Sequence, residues 1–576
     1  MTKDIDRRRR LLRADYPTWT TRTLDEWLDH SAERYPDRPL VLTDETTLTY
    51  SQVADSSRRL ADGLIAAGIR PGDRVGLLVA NYPEFVPLKF AIARAGAVAI
   101  PFNYLYRQEE LGYVLAQSQC RLLITMTGFA GLDYLDMLDA IAPGWDTAGF
   151  ADRPADQEDA VPDLRRVVLF STDDRTRDDV LSVAGLGELG DRHAGASDAV
   201  HRAPDGIADM LYTSGTTGSP KGVLLTHDAV LRTAYSSALT RAYEDGRRTL
   251  FSLPCYHMFA YVEGLLSVMF VGGAVIPQTT FSPVGYFGGI ERHRATDMIC
   301  VPTMAVAMAQ SPQRHEFDLS SLKAILCGAA LAPVWLWQQF ESDFGVSEIC
   351  TGYGMTECGG SMTLTLPEDP LELVSTTVGR PKLAGAASIP GTDVLVQYKA
   401  VDPYSGEDLP SGAEGELLSY GPTAMIGFWN KPKETAEAFD GNGWLRSGDI
   451  GRVRADGYIQ VTGRSKELYK SGGELVMPKE IEDLLAAHEA ISQVFAIGLQ
   501  DERWGEIGCV IIARTPGHSV TEDEVIDLCK SHLARFKVPK HVVFVDAEML
   551  PTTATGKVQK FRLKQLVESA LTQSRV

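Results

Sequence analysis

The chain alternates between two hydrophobic rhythms over much of its length. In TYSQVADSSRRLADGLIAAG, Val53, Leu60, Leu64 and Ile65 fall on one side at helical spacing. RVGLLVA that follows is a short unbroken apolar run, the pattern of a buried strand. PEFVPLKFAIARAG returns to a helix that ends at glycine, and AVAIPF, EELGYVLAQS and RLLITM repeat the alternation. Such strand–helix–strand order predicts a mostly parallel sheet covered by helices.

The rhythm breaks between about residues 128 and 206, which are rich in Asp, Gly, Ala and Pro. They carry one strand candidate, RRVVLFS, and read as a variable surface region between two sheet units. It resumes from Asp209 to about Val378. From Ala386 to Val461, short runs such as TDVLVQY, GELLSYG and GYIQVTG predict a small antiparallel barrel or sheet. The last ~110 residues alternate helix and strand and read as an independent α+β lobe. The expectation is an α/β protein with a large N-terminal domain, residues 1–465, holding layered sheets and a small β-barrel. A smaller mobile C-terminal domain, residues 466–576, follows.

Composition narrows the function classes. At 576 residues the chain exceeds one compact core. With 76 acidic against 56 basic residues the net charge is −20, which disfavours non-specific nucleic-acid binding. The most apolar stretch, Leu250–Pro277, is interrupted by His257 and Glu263 and does not read as a membrane span. The N-terminus has charge but no apolar core, so it does not read as a secretory signal, and Arg7–Arg10 read as a solvated arm. Eight cysteines without a C-x-x-C pair fit buried thiols in a reducing, cytoplasmic setting.

Five segments carry chemistry. MLYTSGTTGSPKGVLLTH is dense in small and hydroxyl residues. Thr213, Ser214, Gly215, Thr216, Thr217 and Gly218 let backbone and hydroxyl donors approach phosphate oxygens, and Lys221 adds positive charge. The spacing is not that of a Walker loop. In CTGYGMTECGG, Tyr353 between Gly352 and Gly354 offers a ring for a flat base. Thr356 offers a donor, and Glu357 a carboxylate for a hard cation such as magnesium. In NGWLRSGDIG, Asp449 is placed to accept from two ribose hydroxyls. GRSKELYKSGGE brings Arg464, which can fork onto ribose or phosphate oxygens, and Lys466 at the lobe connector. Finally, LPTTATGK places Lys557 after a Thr/Gly turn as a mobile charge.

Together these motifs, in this order and spacing, resemble the adenylate-forming superfamily, over roughly residues 20–570. The chain is most similar there to fatty-acid and medium-chain acyl-CoA synthetases. The resemblance implies ATP, Mg2+ and coenzyme A, and a two-step reaction through an acyl-AMP. It implies phosphate contacts from Thr213 to Lys221 and an adenine wall of Gly328, Ala329, Ala330 and Tyr353. Thr356 would meet the α-phosphate, Glu357 the metal, and Asp449 and Arg464 the ribose. Lys557 would bridge the acid and the α-phosphate. Lys466 matches the hinge about which the small lobe turns. That turn removes Lys557 and presents Lys470, Ser471, Gly472 and Gly473 to the thioester step. His257 matches an aromatic-or-His position at the acid site.

The acid pocket is expected to involve Met258, Phe259, Ala260, Tyr261, Gly264, Thr303 and Met355. With Cys358, Gly359 and Gly360 nearby, it favours an apolar acid: a medium- or long-chain fatty acid, or a bulky alicyclic or steroid side-chain acid. An aryl-CoA ligase and an acyl-AMP ligase that loads a carrier protein stay open as alternatives. So does a homodimer.

Overall fold

The computed structural model describes residues 2–147, 150–151, 160–177, 179–213, 220–403, 405–464, 467–471, 474–501, 504–533, 535–552 and 558–573. It divides into two compact units. The first comprises Met1–Gln397 and Tyr420–Leu445; the second comprises Tyr398–Ser419 and Arg446–Val576.

Two sheets organise the first unit. One has nine strands, of which six run parallel: Pro39–Leu42, Ala274–Pro277, Arg248–Phe251, Asp297–Cys300, Ala324–Cys327 and Glu348–Met355. The other has eight, with Ile207–Thr213, Val98–Pro101, Arg74–Leu78, Leu122–Met126, Arg166–Phe170 and Leu181–Ser182 as its parallel body. The predicted strands at 74–78, 98–101 and 122–126 are thus neighbours in one sheet. Two helices are buried almost all round, Phe85–Arg94 and His227–Thr240, as an interior layer requires. The first predicted helix, Tyr50–Ala66, starts at a Thr49–Gln52 capping box in which each side chain accepts the other's backbone N–H.

Two expectations need correction. The segment after residue 128 is more than a surface region. Arg166–Phe170 pairs in the eight-stranded sheet, and the helices Tyr134–Ile141 and Val183–Asp191 flank it. Residues 7–10 are not a solvated arm either. They lie in a helix, Thr2–Asp15, in which Arg8 and Arg9 are buried. Arg8 pairs with Glu348 and Glu244, and Arg9 with Glu368. Arginines in a row alternate around a helix, so only some can reach solvent.

In the second unit, a four-stranded sheet (Gln397–Val401, Gly415–Tyr420, Leu445–Val453, Ile459–Arg464) occupies the span where a barrel or sheet is expected. A five-stranded sheet follows, centred on Gly505–Arg514. Alternate residues of that strand feed two cores. Val510 and Ile512 face Ile481, Leu485, Val525 and Cys529, whereas Cys509 and Ile511 face Leu550, Leu563 and Val567. All eight cysteines are buried and free. Among the described residues no helix is long and apolar enough to cross a membrane.

Candidate active site

Parallel strands deliver their loops to one edge of a sheet, where α/β proteins bind ligands. In the nine-stranded sheet four neighbouring strands do so. Arg248–Phe251 leads to 252–260, Asp297–Cys300 to 301–303, and Ala324–Cys327 to 328–330. Glu348–Met355 itself carries Gly352–Met355. The structure thereby gathers His257, Met258, Phe259, Ala260, Thr303, Gly328, Ala329, Ala330, Gly352, Tyr353, Gly354 and Met355 at one edge.

Local conformation explains several of these residues. The strand ending at Met355 turns through Thr356–Cys358 and returns as Gly360–Leu364, with Met355 opposite Gly360. The two arms cross so closely that a Cβ at Gly354 would lie 1.9 Å from the Gly360 carbonyl oxygen. Only glycine fits, and the crossing sets Thr356 and Glu357 half-buried at the tip. The Glu357 carbonyl accepts the Met425 N–H at 2.8 Å, which ties the tip down. Ala329 sits exposed at φ 71°, a left-handed conformation that a non-glycine residue adopts at a cost. The Phe259 ring closes over Gly328: a Cβ there would stand 2.7 Å from it. His257 caps the short turn Met258–Ala260. Its Nδ1 accepts the Phe259 N–H at 3.2 Å, which puts the proton of the neutral ring on Nε2.

The glycine-rich motif begins and ends in an antiparallel strand pair. Ile207–Thr213 pairs with Lys221–Thr226, with Thr213 opposite Lys221. Ser214, Gly215, Thr216, Thr217 and Gly218 lie outside the described residues. The Lys221 ammonium stands 5.0 Å from the centre of the Phe428 ring.

Two expected pocket residues belong to the packed interior. Tyr261 donates to Asp209 at 3.2 Å, and Asp209 is ion-paired to Lys89 at 2.9 Å; all three are fully buried. Burial pushes the Tyr261 phenol well up. Gly264 faces the sheet, where a Cβ would meet the Phe251 ring at 2.9 Å.

In the second unit Asp449 and Arg464 stand opposite each other across a hairpin and pair at 3.0 Å, with Asp449 buried. The structure thus joins two residues that the sequence singles out separately. Lys470 and Ser471 lie in the strand Tyr469–Ser471. Lys466, Gly472, Gly473 and Lys557 lie outside the described residues, and a Thr552–Val558 bridge flanks the Lys557 segment.

Among the described residues no three His, Cys, Asp or Glu side chains cluster to hold a metal. A magnesium ion accompanying a nucleotide needs only one or two carboxylates besides the phosphates, and Glu357 fits that role.

Sequence reasoning missed the buried charges. Lys89–Asp209 and Glu263–Lys382 (2.7 Å, both fully buried) are ion pairs between distant segments. The signal for Glu263 is its presence inside an apolar run, since a buried acid needs a partner. Lys560 was also missed. It bridges Glu467 and Glu482 at 2.7 Å each, just beyond the Lys557 segment.

The sheet edge and the five motifs define the class of adenylate-forming enzymes. Residues 28–429 match the AMP-binding enzyme family and residues 480–557 the AMP-binding enzyme C-terminal domain, and the chain belongs to that family. It is an ATP-dependent acid:CoA ligase. One relative is the 7a-methyl-1,5-dioxo-octahydro-indenyl propanoyl:CoA ligase of Mycobacterium tuberculosis, 34% identical over 547 residues, covering 95% of this chain and 99% of that one. Another is the mitochondrial medium-chain acyl-CoA ligase of Danio rerio, 32% identical, covering 95% and 89%. Among solved structures, ATP-bound MatB from Rhodopseudomonas palustris superposes with a TM-score of 0.78 at 26% identity, covering 94% and 98%.

Proposed function

We propose that the enzyme activates a mainly apolar carboxylic acid, a medium- or long-chain fatty acid or a bulky alicyclic or steroid side-chain acid, and passes it to coenzyme A. The observation that carries this reading is the acid side of the sheet edge. Phe259 packs on Gly328 and shares a short turn with Met258 and Ala260, so the residues expected at the acid are apolar. The acids in the two relatives' names, a fused bicyclic propanoate and medium chains, are of the same kind.

A carboxylate does not react with a thiol because oxide is a poor leaving group. In the first step a carboxylate oxygen attacks the α-phosphorus of ATP and pyrophosphate departs, leaving acyl-AMP. In the second the CoA thiol, losing its proton, attacks the acyl carbon and AMP departs. The first step needs alignment and charge neutralisation more than acid–base groups. Thr213–Gly218 and Lys221 grip the β- and γ-phosphates. Gly328–Ala330 and Tyr353 hold the adenine, and Thr356 meets the α-phosphate. Asp449, paired to Arg464, receives the ribose hydroxyls. Glu357 would hold the magnesium ion, which when bound would supply charge neutralisation at the phosphates. Lys557 draws the carboxylate to the α-phosphate.

Lys466 is the hinge dividing residues 1–465 from 466–576, and Lys470–Gly473 serve the thiol step after rotation. Free CoA is the thiol rather than a carrier protein, because GRSKELYKSGG runs into GELVMPKEIE with no insertion to block that rotation. Eight buried free thiols suit a cytoplasmic setting. The test is a panel of acids assayed for pyrophosphate and AMP release with and without CoA. The productive acid accelerates AMP release only when CoA is present.

A further inference from the structure

The first unit has a cavity of about 170 Å³ whose lining includes none of the residues gathered at the sheet edge. It forms where the chain leaves the helix Thr2–Asp15 and enters the helix Leu24–Arg34. Tyr16, Trp19, Trp27 and, from the helix His227–Thr240, Leu231 give it largely apolar walls. Those walls are fixed in place. The Tyr16 hydroxyl donates to the Phe270 carbonyl at 3.1 Å, and the Trp19 indole N–H donates to Asp228 at 2.7 Å. The Trp27 ring stacks on Phe270 with centres 4.2 Å apart. A guest meets preformed surfaces, so little ordering opposes its binding.

The charges around the cavity are unequal. Arg34 and Arg232 lie over the Tyr16 and Trp19 rings, and each is paired, with Asp15 at 2.9 Å and with Asp228 at 2.6 Å. Asp15, the one acid in the lining, is thereby neutralised. Arg22 differs. It is half-buried, its guanidinium stands 5.8 Å from the centre of the Trp27 ring, and it has no hydrogen bond or ion pair among the described residues. His30, 5.4 Å from the same ring, has no hydrogen bond among them either. Burial lowers the His30 pKa, and the charges of Arg22 and Arg34 lower it further. The cavity thus holds one uncompensated positive charge in a chain with 76 acidic residues. Its guanidinium donors are left for an acceptor from outside. As to size, an apolar void of about 150 Å³ takes up benzene. This one has room for one six-membered ring, with a short polar group reaching Arg22.

We propose that this cavity is a second ligand site, separate from the catalytic one, for a single-ring aromatic carboxylate. The ring lies against Trp19 and Trp27, and the carboxylate accepts from the Arg22 guanidinium with His30 beside it. A guanidinium and a carboxylate pair through two parallel hydrogen bonds, which fixes the orientation of the guest. Indole faces favour a flat ring over a puckered one of the same size.

The test is calorimetric titration of the whole enzyme, without ATP, using benzoate as the probe. Benzoate should bind at least about tenfold more tightly than neutral benzamide, and more tightly than cyclohexanecarboxylate. Arg22→Gln should weaken benzoate binding at least about tenfold. Arg22→Lys should weaken it less, since the charge stays while the fork is lost. Pyrophosphate exchange with octanoate should be unchanged in Arg22→Gln, which shows the catalytic edge intact. Benzoate that fails to bind at millimolar concentration overturns the proposal, and so does benzamide that binds as well as benzoate. Benzoate that binds Arg22→Gln as tightly as the wild type overturns it too, and assigns the anion to the catalytic acid site. A parallel loss of exchange in that variant would overturn the separateness of the two sites.

Discussion

Single side chains at the site have separable tasks. Lys557→Ala should lower acyl-AMP formation by at least about a hundredfold, the loss typical when one transition-state donor is removed. It should leave thioester formation from supplied acyl-AMP unchanged. Single-turnover assays of the two half-reactions check this, and equal loss in both would refute the division of labour. Asp449→Ala, which removes the carboxylate paired to Arg464, should raise KM for ATP about tenfold, with less effect on KM for CoA. A third residue reports on stability. His227 is buried, its Nδ1 accepts the Leu24 N–H at 3.2 Å, and burial pushes its pKa down to about 3. The unfolded chain binds a proton near pH 6.5 that the folded chain refuses. Stability should therefore fall as pH drops from about 6.5 toward 3, by about 1.4 kcal/mol per unit from this group. Denaturation midpoints followed across that range should flatten in His227→Gln.

Helices, strands and turns set where those side chains stand. Gly354→Ala forces a Cβ into the Gly360 carbonyl. It should cost about 1–3 kcal/mol in thermal unfolding and lower kcat by displacing Thr356 and Glu357. The N-terminal helix braces the same strand from its other end, since Arg8 and Arg247 both pair with Glu348. Arg8→Ala should destabilise the enzyme by about 3 kcal/mol, the lower end for breaking a buried pair, because Arg247 remains. A change under 0.5 kcal/mol would contradict the brace.

Element by element, much was legible in the chain. The spacing of Val53, Leu60, Leu64 and Ile65 announces the helix Tyr50–Ala66, and the apolar runs at 74–78, 98–101 and 122–126 are strands of one sheet. Among the described residues, Gly352–Met355 end a strand and Asp449 stands opposite Arg464 across a hairpin, which is where turn-rich motifs are legible. What could not be read depends on long-range pairing. Arg8 finds Glu348 340 residues away, and nothing local distinguishes it from the exposed Arg7. Likewise the run Leu250–Pro277, apolar apart from His257 and Glu263, folds as strand, π-helical turn and strand. Its one acid meets Lys382, 119 residues on.

At the scale of the whole molecule, the chain is an ATP-dependent acid:CoA ligase, and its first unit holds the sheet edge at which His257, Thr303, Gly328 and Tyr353 are gathered. Its second unit supplies the Asp449–Arg464 pair and the lobe that carries the Lys557 segment. Pyrophosphate exchange tests that account most directly, because it needs acid, ATP and magnesium but no thiol. Purified enzyme given a largely apolar acid should move labelled pyrophosphate into ATP without CoA, and should release AMP at speed only once CoA is added. A protein that performs no exchange across fatty, alicyclic and aromatic acids, or that exchanges only when CoA is present, contradicts activation through a free acyl adenylate.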